Sequence, residues 1–182
     1  MTPTIANSTR RDVLAKGILA TGAVWLAGPA FAQGATQGLA QGATQGATQG
    51  LAATPTMRGG ANNYMAGAPI VPRIGGGGFW MSGTVRRAGD GAPLAGMRIQ
   101  IWAHTTEGRE DDKHSHGATL TDANGVFRLE MPQIIPVFGQ PHGHLAYDGD
   151  NAGQRYKTVF LRPVMPSARD TSLKADFVLQ PA

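Results

Sequence analysis

Apolar and polar positions fall into two regimes along this chain. From residue 79 onward come seven short segments, FWMSGTVRR (79–87), MRIQIWAH (97–104), GATLT (117–121), VFRLEM (126–131), GHLAY (143–147), RYKTVFL (155–161) and LKADFVL (173–179). They are rich in β-branched and aromatic residues and are separated by Gly, Pro, Asp and Asn. Strands at that spacing predict an all-β, antiparallel β-sandwich. In TDANGVF, Asp122 to Gly125 supplies turn chemistry between an ending strand and a starting one, and AGDGAPLAGM does the same between the first two strands. No helical periodicity of 12 residues interrupts the pattern.

The N-terminal third is patterned differently. STRRDVLAKG, with Arg10 and Arg11, precedes an uncharged run that ends at Ala30-Phe31-Ala32. A charged start, a modest apolar stretch and a small-residue cleavage site together read as a twin-arginine signal peptide over residues 1–32. Gly17 to Ala32 is 16 residues with three glycines and a proline, too short and too broken for a spanning helix. Residues 33–60 contain, from Gly34 onward, GATQGLAQGATQGATQGLAA, whose glycine every fourth residue and lack of bulky side chains predict a flexible linker. Residues 61–182 remain for one sandwich, enough chain for a single core. Export by the twin-arginine machinery would place the protein in the periplasm or outside the cell.

Composition then narrows the chemistry. The chain has no cysteine, so neither a disulfide nor a thiolate ligand is available. Its 16 Lys and Arg against 12 Asp and Glu give +4; removing Arg10, Arg11, Lys16 and Asp12 leaves 13 against 11, a charge of about +2. The pI near 9.9 is therefore partly a property of the leader. No basic run with interleaved aromatics points to nucleic acid.

His142 and His144 in QPHGHLAY are separated by one glycine. On a strand, side chains alternate, so both imidazoles leave the same face and form a ready pair of metal ligands. His114 and His116 repeat the spacing, and His104 shares a strand face with Trp102. These three form either part of a histidine-rich copper or zinc site or a loop that meets only water. Tyr147 and Tyr156 are expected in core or rim packing.

In order, NNYMAGAP, SGTVRRAGDGAPLAGMRIQIWAHTTEGRE, TLTDANGVFRLEMP, QPHGH and ADFVL resemble the intradiol ring-cleavage dioxygenases, the family of protocatechuate 3,4-dioxygenase and catechol 1,2-dioxygenase. The likeness runs from Asn62 to Leu179. It implies a non-haem ferric ion held by two tyrosines and two histidines, and oxidative cleavage of a catechol-type diol by dioxygen. His142 and His144 match the two histidines. Glu110 stands where the first tyrosine is expected, and between Glu130 and His142 there is no tyrosine, only Phe138. Gln140 occupies the place of an arginine that helps bind substrate, which makes it the catalytic position to examine. With two imidazoles, Glu110 would complete a two-histidine, one-carboxylate set suited to ferrous iron, with Cu2+ an alternative. Asp111 or Asp112 would serve if the loop register shifts, and a merely solvated acidic loop is the competing expectation.

The resemblance thus implies a divergent intradiol-type oxidoreductase of aromatic catabolism, exported, metal-binding, with a small aromatic diol as partner. Two other readings remain open: a non-catalytic metal-binding or adhesive module, and a distinct histidine-rich copper or iron enzyme.

Overall fold

The computed structural model describes residues 50–137, 139–149 and 155–182. The expected signal peptide, the expected linker up to residue 49, and Phe138 lie outside these residues. Eight strands form: β1 (Phe79–Arg87), β2 (Arg98–Ala103), β3 (His116–Leu120), β4 (Val126–Met131), β5 (Gly143–Tyr147), β6 (Val159–Leu161), β7 (Ser172–Lys174) and β8 (Phe177–Leu179). Among the described residues the one helical element is a 3-10 turn at Lys113–Ser115. One sheet runs β4-β1-β7 with β8 also on β1, and the other runs β3-β2-β5-β6. Phe79, Met81 and Val85 of the first sheet face Ile99, Ile101, Leu145 and Tyr147 of the second in a single apolar core.

Two expectations change in detail. TDANGVF resembles a family hairpin, yet it crosses between sheets: β3 pairs with β2 and β4 with β1. Asp122 makes the corner, its Oδ1 accepting the N–H groups of Asn124 and Val126 while Gly125 takes a φ of +74°. The segment LKADFVL, expected as one strand, is two, both parallel to β1. Between them the Asp176 carboxylate, in place of a main-chain carbonyl, accepts the Thr84 N–H at 2.8 Å, and the ladder is interrupted. Gly83 lies at the gap, where a Cβ would stand 1.8 Å from the Ala175 carbonyl oxygen, so no larger residue fits without movement.

The largest departure is the linker boundary. Residues 50–60, placed in the linker by composition, are bonded to the sandwich: Leu51 to Gly89, the Thr54 N–H to Val178 O, and the Met57 N–H to Phe160 O. This extended strap supplies hydrogen bonds to β8 of one sheet and β6 of the other. Further on, Val71 bonds to Ala118 on β3 and Ile74 to Glu130 on β4. Exposed strand edges carry unpaired N–H and C=O groups, and these pairings satisfy them. A low-complexity composition says nothing about such main-chain pairing, which needs no bulky side chain.

Candidate metal centre

β2 is buried on both faces, with Ile99, Ile101 and Ala103 turned to the core. Arg98, Gln100 and Trp102 alternate onto the outer face, where the strap, continuing through residues 61–68, crosses them. Trp102 Nε1 donates to Asn62 O at 2.9 Å, Gln100 Nε2 to Met65 O at 2.8 Å, and Arg98 Nη2 to Ala68 O. On neighbouring β5, His144 Nδ1 meets Gly60 O at 3.0 Å. Outward side chains of two strands thus pin one strap by its carbonyls, while the buried Gln100 Oε1 finds no partner.

His144 shares this outer face, so its ring stacks on Trp102 at 5.1 Å between centroids and 12° between planes. His116, on β3, stacks on the other side of the indole at 5.4 Å and 10°. His142, at the start of β5, directs Nδ1 to Gln140 O at 2.9 Å. With Nδ1 donating to Gly60 O, His144 keeps its Nε2 lone pair for a ligand, whereas His142 Nδ1 lies between Gln140 O and the Arg162 Nη2 donor at 3.3 Å.

The loop after β2 brings Glu110 to these atoms. A turn closed by the Arg109 N–H on Asp112 Oδ2 at 2.7 Å and the Asp112 N–H on Arg109 O at 3.1 Å shapes the loop. Glu110 Oε2 lies 3.1 Å from His144 Nε2 and 3.6 Å from His142 Nε2. One ligand atom from each of Glu110, His142 and His144 falls within 4.8 Å of the others, the one such group of three or more among the described residues. Two imidazole nitrogens and one carboxylate oxygen, with both imidazoles oriented from behind, are a donor set that fits non-haem iron or another divalent ion. A cavity of about 350 Å3 opens beside Glu110, lined also by Asn63, His104, Arg109, Asp111 and Val137.

Burial lowers the His144 pKa, against the opposing pull of Gly60 O and Glu110. Burial likewise lowers that of His116. Both are held neutral, the form that binds metal or accepts a hydrogen bond.

The remaining candidates disperse. Asp111 pairs with Arg109, and Asp112 closes the loop turn, so the register that presents Glu110 is the one adopted. His114 is exposed near Asp112, His104 lines the cavity, and His116 is bonded to the Glu110 main chain. Gln140 is exposed and reaches the site through its carbonyl. Tyr147 faces the core from the opposite side of β5 to His144 and packs edge-on with Tyr156. Tyr64 donates its hydroxyl to Asp148 at 2.7 Å; burial and then this carboxylate push its pKa up to about 12, so it stays a phenol. Sequence reasoning missed Gly60, Asn63, Gln100 and the orienting part of His116. Only Gln100, at an outward period-two position of β2, carried a hint.

No protein-family model and no curated protein matches the sequence. Solved structures do. A 3-chlorocatechol 1,2-dioxygenase from Rhodococcus opacus 1CP aligns over 75% of this chain and 74% of its own, at 17% identity and a TM-score of 0.51. The chain has the intradiol dioxygenase fold. A hydroxyquinol 1,2-dioxygenase from Pseudomonas putida DLL-E4 shows the same likeness, over 72% of this chain and 68% of its own, at 15% identity and a TM-score of 0.51. Within this intradiol dioxygenase fold, Glu110 and the two histidines come together where the outer face of one sheet meets the loop after β2.

Proposed function

We propose that this is an exported, intradiol-type oxidoreductase that holds one non-haem iron through His142, His144 and Glu110 and acts on a catechol-like diol with dioxygen. The supporting observation is the convergence of two Nε2 atoms and one carboxylate oxygen within 4.8 Å beside an open cavity. Iron bound there would supply the redox-active contact between diol and dioxygen, as such ligand sets leave positions open. On the cavity wall Arg109 is paired with Asp111, and His104 offers an imidazole to take a hydroxyl proton. Gln140 orients His142 through its carbonyl, a role different from the arginine it replaces. The Arg10-Arg11 leader supports export to the periplasm or beyond.

A non-catalytic metal-binding module is the second reading, favoured because Tyr64 is committed to Asp148 and Tyr147 to the core. Oxygen uptake by iron-loaded protein, with catechol and substituted catechols, separates the two. Stoichiometric oxygen consumption with a ring-opened dicarboxylate product supports the oxidoreductase. Full iron occupancy with no turnover on any diol leaves the binding module.

A further inference from the structure

A carboxylate on a loop is a poor metal ligand unless something fixes it, because each free torsion must be frozen on binding. Glu110 is fixed at both ends. Asn63 Nδ2 donates to Oε1 at 2.9 Å, which leaves Oε2 as the oxygen facing His142 and His144. Its own carbonyl is met by His116 Nε2 at 2.9 Å.

The direction of that second bond is set from behind. Gln100 Nε2 must donate to Met65 O at 2.8 Å, and its other hydrogen points to His116 Nδ1 at 3.3 Å. His116 therefore accepts at Nδ1 and carries its proton on Nε2, where it donates to Glu110 O. Trp102, clamped between His116 and His144, fixes the spacing of the two imidazoles that touch Glu110 from opposite ends. Asn63 stands on the strap at a φ of +56°, a conformation that asparagine tolerates better than most residues.

We propose that Asn63 and His116 are positioning residues that make Glu110 a metal ligand, His116 through a relay running from Met65 O by way of Gln100. This rests on the metal reading of the site. It goes beyond it by assigning the third ligand's geometry to the strap and to a histidine that holds no metal itself.

The test uses cobalt(II) as a probe on the full-length chain, with affinity read by chelator competition and coordination read from the visible ligand-field bands. Asn63→Gly removes the amide while suiting the positive φ, and His116→Phe keeps a ring on Trp102 while removing the donor. Each should weaken cobalt binding by about 10–100-fold, the usual effect of losing an outer partner. Their spectra should shift toward that of Glu110→Ala. In the metal-free unaltered protein, imidazole 15N spectra should show His116 protonated at Nε2 and His144 at Nδ1. Should His116→Phe fail to fold by circular dichroism, Asn63→Gly, at an exposed position, decides the matter. Wild-type affinity and spectrum in Asn63→Gly overturns the proposal alone, and no cobalt binding by the unaltered chain overturns the metal reading and the proposal with it.

Discussion

At residue scale the proposed chemistry rests on three atoms, Glu110 Oε2, His142 Nε2 and His144 Nε2. Replacing both histidines by alanine should bring metal stoichiometry near zero while circular dichroism stays β-rich, because β5 is held by β2 and β6 through its main chain. Full occupancy in that double variant would move the site elsewhere. Acid should act through the same residues. His144 and His116 have lowered pKa values, so their neutral forms contribute stability fully above the unfolded value of about 6.5, and that contribution is lost as pH falls below it toward the lower folded values. The melting temperature of metal-free protein should therefore drop between about pH 6.5 and 5, before carboxylates titrate. A flat profile across that window would mean that these imidazoles are not held neutral. Colour tests the tyrosines: with Tyr64 kept a phenol by burial and Asp148, iron-loaded protein should lack the intense visible band of tyrosinate on ferric iron. A deep red protein would show that a phenolate reaches the metal.

Elements turn these residues into a site by their periodicity. On β5, alternation sends Leu145 and Tyr147 into the core and His144 to the outer face, and on β2 it aligns Arg98, Gln100 and Trp102 beneath the strap. The strap is consequently both an edge cover and a wall of the centre. A chain that begins at Tyr64 should lose Gly60 O behind His144 and the Asn63 amide on Glu110, and should bind metal more weakly than one that begins at Gly50. Equal affinity in the two truncations would show the strap to be an edge cover only. Gly83→Ala tests the seam between β1, β7 and β8. A Cβ 1.8 Å from Ala175 O forces the parallel strands apart, and the cost should be about 1–3 kcal/mol, read as a melting temperature lower by several degrees.

At the scale of the whole molecule, the proposed leader and the repeat each carry a prediction. Replacing Arg10 and Arg11 by lysine should retain the precursor inside the cell, and deleting residues 34–49 should leave the melting temperature nearly unchanged. Periplasmic recovery of the lysine variant would remove the export proposal. The sequence by itself determined the strand content, because short β-branched segments between turn residues leave few other ways to bury apolar surface. It also determined that His142 and His144 share a face, since strand period alone requires it. Tertiary structure decided the rest. Glu110 lies 32 positions before His142, and which acidic side chain of GREDD points inward depends on a loop turn, on His116 and on Asn63, the last 47 positions away. Composition marked residues 50–60 as linker because small residues cannot build a core. Their main chain could still complete two sheet edges, and main-chain hydrogen bonding depends on what lies alongside in space, which no pattern of side chains encodes.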